Sequence, residues 1–254
     1  MTTSPEITSK FTLNRGLLYR GFYYFIIKPF ILPINNKILL RKWAHHADDR
    51  VLNWDWAKVN FNRMAVISIL INKFKDPHYL EIGCSSDILF NSVPTIYKVG
   101  VDPSSGGNIR KTSDEFFRVN KDQFDVIFID GLHTYDQVRR DLINSLRVVK
   151  DSGWIAIHDM LPRNWTEHHL PIVSMGAWTG DVWKVAFELL ATDGIEFRIL
   201  KIDHGVGVIK VLKKDIQLKD FREELWNKEF SWYYDNLSRL PIVEWQEAQI
   251  WLRT

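Results

Sequence analysis

The sequence alternates short apolar runs with stretches long enough to form helices. Between two of these runs, residues 133–150 place apolar side chains on one stripe, as an amphipathic helix does. Strands that alternate with helices predict βαβ units around a parallel sheet, and continuous apolar runs fit strands that are covered on both faces. The runs are HYLEIG (78–83), IYKVGVD (96–102), FDVIFID (124–130) and GWIAIHD (153–159).

Two further runs, FRILKI (197–202) and GVGVIKV (205–211), are separated by a gap of hairpin length, so they are expected to pair antiparallel. Residues 181–192 have the pattern of another helix, and an earlier helical stretch, 54–75, stops at Asp76-Pro77. We therefore predict one α/β domain over residues 61–212. An aromatic, helical cap (1–60) precedes it and a Trp-rich helical extension (213–254) follows it.

Composition excludes several classes of protein. The 254 residues are 46% hydrophobic, which is enough for one sizeable core. The net charge of +2 leaves no electrostatic footprint for nucleic acid. Cys84 is the single cysteine, so an internal disulfide and a CxxC metal clip are excluded, and a reducing, cytoplasmic location is expected.

The most hydrophobic segment is GFYYFIIKPFILP (21–33), which Lys28-Pro29 interrupts. It is shorter than the ~20 residues that span a bilayer. Nearby basic residues would allow contact with a membrane surface. We favour a helical cap that packs on the core or on another subunit of a homo-oligomer.

Charged or glycine residues stand where the four parallel strands end. In open α/β sheets the ligand binds beyond the carboxyl ends of the strands, so these residues are expected at one binding edge. They are Glu81, Gly83, Asp102, Asp130, His158 and Asp159.

The run GCSSDI after the first strand keeps only the first glycine of a GxGxxG motif, Gly83, and Ser85 stands in place of the second. A pyrophosphate site is therefore not expected. A ligand with a ribose and a cationic or zwitterionic tail fits better. Asp102 can accept both ribose hydroxyls, or it can cap the turn in DPSSGG. Ser113 and Asp114, in KTSDEFF (111–117), can form a loose capping box or contact a purine ring.

The segments YLEIGC, VGVDP, FDVIFIDGLHTYDQV and GWIAIHDMLP resemble the class I S-adenosylmethionine-dependent methyltransferases. The resemblance is closer to the branch of macrocin-type sugar O-methyltransferases and catechol-type enzymes, and it covers about residues 78–162. It implies a Rossmann-like sheet of seven mostly parallel strands, with the last strand antiparallel and helices on both faces. It also implies S-adenosylmethionine as cofactor.

The resemblance further implies roles for single residues. Glu81 and Gly83, with the loop through Ser85, would surround the methionine part of the cofactor. The other implied roles are ribose binding by Asp102, adenine contact by Ser113 and Asp114, a place facing the methyl-transfer site for Asp130, and general-base catalysis by His133.

The sequence departs from the family at two places. Asp87 replaces the last glycine of the cofactor loop, and His158-Asp159 stands where catechol-type relatives have an Asp-Asn metal pair. Asp130, His158 and Asp159 can hold Mg²⁺ or Mn²⁺, although an imidazole suits Mg²⁺ less well than an oxygen ligand. His133 can alternatively cap the helix that starts beside it, and Asp159 can cap the following segment.

The stretch 162–184 is long for a connection between a strand and a helix, and long loops are often functional. We predict that it forms a lid over the acceptor and that Trp178, Asp181 and Lys184 contact the substrate together with His158 and Asp159. The pair His168-His169 is interpreted as incidental.

The predicted activity is methyl transfer to a small molecule. The expected reaction is O-methylation of a sugar, nucleotide-sugar or phosphorylated metabolite, in carbohydrate biosynthesis. N-methylation of a small amine is an alternative. An NAD(P)-dependent oxidoreductase and a non-catalytic binding protein on the same sheet also remain open at this point, although the broken GxGxxG motif disfavours the oxidoreductase.

Overall fold

The computed structural model describes residues 32–174 and 176–254. The chain divides into two compact units, Met1–His45 and His46–Thr254. In the first unit the described residues form helix α1 (Leu32–Lys42). Residues 21–31 of the apolar segment, and with them most of the predicted membrane-surface or cap contact, lie outside the described residues.

The second unit contains the remaining described helices. They are α2 (Arg63–Ile71), α3 (Ile88–Ser92), α4 (Ser113–Val119), α5 (Tyr135–Val148), α6 (Trp165–His168), α7 (Lys184–Leu190), α8 (Arg222–Leu225), α9 (Phe230–Asn236) and α10 (Trp245–Leu252). Short 3-10 turns occupy Ala44–His46, Trp56–Lys58 and Leu237–Arg239.

Within the described residues, seven strands form one sheet in the order β2-β1-β3-β4-β6-β5-β7. The neighbours from β2 to β4 pair parallel, β6 runs antiparallel to both β4 and β5, and β7 is parallel to β5. The strands are β1 (Tyr79–Ile82), β2 (Lys98–Val101), β3 (Phe124–Ile129), β4 (Val149–Ile157), β5 (Ile195–Leu200), β6 (Val206–Val211) and β7 (Ile242–Val243). This arrangement confirms the predicted fold class. The antiparallel strand is β6, the last of the six strands that the apolar runs indicate.

Both faces of the sheet are covered, which explains the continuous apolar runs. Along β3, Ile127 and Ile129 pack into one core cluster with residues of α5 and α7. Val126 and Phe128 pack into a second cluster on the opposite face with residues of α2 and α10. Because side chains alternate across a strand, a strand between two helical layers is apolar at nearly every position.

The register of the central strands brings their ends together. Ile82 of β1 lies opposite both Val101 of β2 and Ile129 of β3, and Ile129 lies opposite Ile157 of β4. The residues that follow these four positions therefore share one edge of the sheet, as parallel strand direction predicts.

The C-terminal tail completes the sheet rather than standing apart from it. Its short strand β7 pairs with β5 at Leu200 and Val243, and Trp245 and Trp251 of α10 enter the second core cluster. The domain boundaries at residues 60 and 212 stay a prediction. Among the described residues, no helix combines the length and apolar character that crossing a membrane requires.

Candidate active site

A cavity of about 910 Å³ opens at the carboxyl edge of the sheet. It collects most of the residues that the sequence predicts for a site. The predicted residues in its lining are Glu81, Gly83, Ser85, Asp102, Ser113, Asp130, His133, His158 and Asp159.

The loop after β1 passes very close to the loop after β3. Gly83 has a φ of +85°, and a Cβ at this position would clash with the carbonyl oxygen of Asp130. The backbone N–H of Asp130 donates to the carbonyl of Ile82 at 2.8 Å. Glycine is therefore required at position 83 both for its backbone conformation and for this close approach.

Asp87 keeps the left-handed conformation that the family's glycine would supply, with a φ of +62°. Its Oδ1 accepts a hydrogen bond of 2.5 Å from the backbone N–H of Gly107. Aspartate tolerates this region better than most residues. The departure from the family motif is thus compatible with a tight loop, and the carboxylate links that loop to the one after β2.

Asp102 links the loop after β1 to the loop after β2 by hydrogen bonds. Its carboxylate accepts from the backbone N–H groups of Cys84 and Ser85 at 3.1 Å, and from those of Ser104 and Ser105 at 2.8 Å. Burial opposes ionisation of Asp102, but these hydrogen bonds outweigh it and lower its pKa. This arrangement supports the capping interpretation, and the ribose role stays a prediction.

The loop before α4 carries a complete capping box, which begins at Thr112, the residue before Ser113. Thr112 and Glu115 exchange side-chain and backbone hydrogen bonds. Ser113 lines the cavity, whereas Asp114 is absent from its lining and pairs with Arg140 at 3.5 Å.

Two polar side chains of α5, which the sequence analysis missed, stand beside Ser113. Gln137 donates to Ser113 Oγ at 3.1 Å and to Asp141 Oδ1 at 3.0 Å. Asp141 is buried, and its Oδ2 has no hydrogen-bond partner among the described residues. Burial raises the pKa of Asp141 to about 6. Gln137 and Asp141 are four residues apart and therefore lie on one face of the helix. Amphipathic helices commonly carry such polar pairs, so this spacing alone did not predict a place in the site.

Glu81 presents a second buried acid to the cavity. The hydroxyl of Tyr79, two residues earlier on the same strand face, donates to Glu81 Oε2 at 2.6 Å. Burial raises the pKa of Glu81 to about 7, although the Tyr79 hydrogen bond opposes the shift. The carboxyl group is therefore poised to gain or lose a proton near neutral pH.

At the carboxyl edge of the sheet, the imidazole of His133 lies between the carboxylates of Asp130 and Asp159. His133 Nε2 is 3.3 Å from Asp130 Oδ1, and His133 Nδ1 is 2.9 Å from Asp159 Oδ2. Burial lowers the pKa of His133, but hydrogen bonds to Asp130 and Asp159 outweigh it and raise the pKa to about 10. The raised pKa therefore favours the protonated imidazole at neutral pH.

Arg63 and Asp203, which the sequence analysis did not assign to the site, meet His158 beside this cluster. Arg63 Nη1 lies 2.6 Å from Nε2 and 3.0 Å from Nδ1 of His158. Asp203, in the turn between β5 and β6, lies 3.5 Å from His158 Nε2. Arg63 begins a helix and is not at a strand end. Asp203 does follow the carboxyl end of β5, but the sequence analysis treated this turn only as a hairpin connection.

The segment 162–183 contacts His133 through Trp178 and Gly180. The carbonyl of Trp178 lies 3.1 Å from His133 Nδ1, and the two rings stack with centroids 5.2 Å apart. Gly180 has a φ of +59°, and a Cβ there would clash with the carbonyl oxygen of His133.

Trp178, Asp181 and Lys184 do not belong to the cavity lining. Asp181 accepts from the backbone N–H of Tyr135 at 2.6 Å. Lys184 is buried, pairs with Asp181 at 3.0 Å and donates to the carbonyl of Trp226 at 2.9 Å. These contacts connect the segment to α5 and α8. The substrate roles of the three residues stay predictions, and none of the three side chains lines the cavity.

The residues that can hold a metal ion differ in part from the predicted set. Ligand atoms of Asp130, His133 and Asp159 lie within 4.8 Å of one another. His158, predicted as a ligand, turns Nε2 towards Asp203 and keeps Nδ1 3.2 Å from Asp130. Two carboxylates and one imidazole fit a divalent cation, and this mixed donor set suits Mn²⁺ better than Mg²⁺.

Comparison with known proteins identifies the central part of this chain. Residues 80–160 match a family described as "Methyltransferase domain", over about a third of the sequence. That segment contains β1 to β4 and most of the cavity residues. This match to a methyltransferase domain confirms the predicted resemblance to methyltransferases and the predicted enzyme class.

Solved structures of several methyltransferases are similar at low identity. One is a putative O-methyltransferase from Klebsiella pneumoniae (13% identity, 78% of this chain, 97% of that chain, TM-score 0.48). Others are the Podospora anserina methyltransferase PaMTH1 (16%, 82%, 100%, 0.43) and an O-methyltransferase from Bacillus cereus (14%, 78%, 97%, 0.43). At these values the similarity concerns general architecture and carries no functional assignment. No curated protein matched the sequence.

Proposed function

We propose that this protein is an S-adenosylmethionine-dependent O-methyltransferase that acts on a small molecule. One observation carries the proposal: the segment that matches the methyltransferase domain also supplies the acid–imidazole–acid cluster at the floor of the cavity. The resemblance of the segments YLEIGC, VGVDP and FDVIFIDGLHTYDQV to class I methyltransferases supports S-adenosylmethionine as the cofactor.

The cavity residues at the strand ends would hold the cofactor. In this proposal Glu81 and Gly83 would bind its methionine part, the loop held by Asp102 its ribose, and Ser113 its adenine; all four residues line the cavity. When bound, S-adenosylmethionine would supply a methyl group on a positively charged sulfur. The carboxylate of Asp130, just after the end of β3, would face that charge and help to orient the acceptor.

His133 removes the proton of the acceptor hydroxyl, which is a poor nucleophile until it is deprotonated. The two flanking carboxylates hold the imidazole in place and raise its pKa to about 10. A cation near Asp130 weakens this hold, so the cofactor's own charge favours the neutral, basic form of His133.

A divalent ion at Asp130, His133 and Asp159 is the alternative route to an activated hydroxyl, because an imidazole nitrogen that binds a metal cannot also accept the acceptor's proton. When bound, such an ion would lower the pKa of an acceptor hydroxyl. Titration of Mn²⁺, followed by its paramagnetic resonance signal, tests the site. Asp159→Asn is expected to weaken Mn²⁺ binding at least about tenfold, and binding that Asp159→Asn leaves unchanged would contradict it.

For the acceptor we propose a sugar, nucleotide-sugar or phosphorylated metabolite. The resemblance of FIDGLHTY and its surroundings to macrocin-type sugar O-methyltransferases supports a sugar, and the carboxylates in the cavity lining offer hydrogen-bond acceptors to a hydroxylated ligand. A sugar acceptor would place the reaction in carbohydrate biosynthesis.

Calorimetric titration with S-adenosylhomocysteine and, separately, with NAD tests the proposed function. We expect S-adenosylhomocysteine to bind one site per chain and NAD to give no heat above dilution. Binding of NAD without any response to S-adenosylhomocysteine would favour the oxidoreductase and overturn the proposal.

A further inference from the structure

We propose that Arg63 binds an oxyanion, a carboxylate or a phosphate, of a ligand in the cavity. The inference rests on the proposed function, because the ligand is then either the cofactor or the methyl acceptor. It adds a recognition residue that lies outside the segment matching the methyltransferase domain.

The backbone at Arg63 is fixed from two sides. Asn62 caps α2, and its side chain accepts from the backbone N–H of Met64 at 2.9 Å. The backbone N–H of Arg63 itself donates to Asp203 Oδ2 at 3.1 Å. The side chain therefore leaves a rigid helix start, which favours a defined position in the cavity.

The guanidinium group uses only one of its nitrogens in contacts with the described residues. Nη1 meets the ring of His158 at 2.6 Å and 3.0 Å, Asp130 Oδ2 at 3.5 Å and Asp203 Oδ2 at 3.7 Å. Nη2 and Nε have no acceptor among these residues. The side chain is 34% exposed and belongs to the cavity lining, so a ligand can reach its remaining donors.

The carboxylates around Arg63 leave some of the hydrogen-bond donors of its guanidinium group without a partner among the described residues. Asp130 and Asp203 lie within ion-pair distance of Nη1, yet neither forms the two parallel hydrogen bonds that arginine and carboxylate make when they pair fully. Asp130 is shared with His133 and His158. The planar fork of arginine matches carboxylate and phosphate oxygens, so the open edge is suited to an anionic group.

Two sources of the oxyanion fit this position. One is the carboxylate of the cofactor's methionine part, which the proposal places near Glu81 and Gly83. The other is an acidic group of the acceptor, because Arg63 contacts Asp130 and His158 beside His133. The chemistry of recognition is the same for both.

Calorimetry on the full chain distinguishes the sources. The probes are S-adenosylhomocysteine, 5′-methylthioadenosine, which lacks the amino-acid tail, and inorganic phosphate added to the S-adenosylhomocysteine complex. The variants are Arg63→Gln and Arg63→Lys, and the control is Arg147→Gln, an exposed arginine of α5 outside the cavity. Thermal melting checks that each variant is folded.

If the cofactor supplies the oxyanion, Arg63→Gln weakens S-adenosylhomocysteine at least about tenfold and leaves 5′-methylthioadenosine unchanged. If the acceptor supplies it, S-adenosylhomocysteine is unaffected and phosphate binding is lost. Arg63→Lys, which keeps the charge but not the fork, falls between the wild type and Arg63→Gln in either case.

The proposal is overturned if Arg63→Gln binds all three probes as the wild type does. It is also overturned if S-adenosylhomocysteine and 5′-methylthioadenosine weaken in parallel, since that outcome indicates a structural role. Should Arg63→Gln not fold, Arg63→Lys decides by the same comparison. A wild type that binds no S-adenosylhomocysteine would instead contradict the proposed function itself.

Discussion

The imidazole of His133 is held by contacts on both sides and on one face. It is held by Asp130 on one side and Asp159 on the other, and the ring of Trp178 stacks on it. Such a double hold fixes both the orientation and the protonation of the ring. The same geometry suits either of two roles for His133, a general base or, once the ring has lost its proton, a metal ligand.

His133→Ala is expected to lower kcat by roughly 10²- to 10⁴-fold, because general-base catalysis contributes about that much. The affinity for S-adenosylhomocysteine should stay within about twofold, since cofactor binding rests mainly on other loops. Steady-state kinetics and calorimetry measure the two effects. His78→Ala, outside the cavity and stacked on Tyr97, is the matched control, and near-wild-type turnover of His133→Ala would refute the role.

Asp141 should make the stability of the protein depend on pH. Burial raises its pKa from the ordinary 3.8 to about 6, so the folded state binds more protons than the unfolded chain between these values. Stability is therefore expected to fall as pH rises from about 4 to about 6, by roughly 2–3 kcal/mol.

Asp141→Asn removes this contribution. Urea unfolding at pH 4 and pH 7 should show a smaller loss of stability on raising the pH in Asp141→Asn than in the wild type. Asp122→Asn, at an exposed position, should behave like the wild type. An unchanged pH dependence in Asp141→Asn would show that its carboxyl group is not responsible.

Site residues differ in how visible they are in the sequence. Asp102, Asp130 and the pair His158-Asp159 could be predicted because the end of a parallel strand is a recognisable place with a known direction. Arg63, at the start of α2, could not, because its position beside His158 and Asp130 depends on packing between segments far apart in the chain.

At the scale of elements, the segment 162–183 supports the site through contacts with His133. The carbonyl of Trp178 and the turn at Gly180 both lie close to that residue. Lys184, at the start of α7, anchors the end of the segment through Asp181. The length of the segment and its tryptophans could be read from the sequence, but these contacts could not, because they arise from tertiary packing. That the segment also covers the acceptor stays a prediction.

Gly180→Ala is expected to push His133 out of place, because the new methyl group would meet the His133 carbonyl oxygen. A shift of this kind should cost roughly 10- to 100-fold in kcat with little change in cofactor affinity. Gly176→Ala in the same segment is the matched control, since a Cβ there contacts nothing within 4 Å. Equal kcat values for the two variants would show that the segment does not position the histidine.

The central elements follow directly from the apolar runs, and the peripheral ones do not. The pattern gave β1 to β6 and the long helix α5 to within a few residues at most ends. It did not indicate β7, because a strand of two residues, Ile242–Val243, is too short to show alternation.

At the scale of the whole molecule, the C-terminal tail contributes directly to the described core. The tail carries β7 and α10, and Trp251 packs against Trp154 of β4 while its Nε1 donates to Glu196 of β5 at 2.8 Å. Buried aromatic residues of this size contribute strongly to stability. The tail is therefore part of the core around the methyltransferase domain, and the sheet edge that forms the cavity depends on that core.

A crystal structure of the protein with S-adenosylhomocysteine bound tests the central claim most directly. The account predicts the ligand in the cavity at the strand ends, with its sulfur facing Asp130 and His133, its ribose at the loop of Asp102 and its adenine beside Ser113. S-adenosylhomocysteine bound elsewhere on the chain, or in this cavity with its sulfur turned away from His133, would contradict the account.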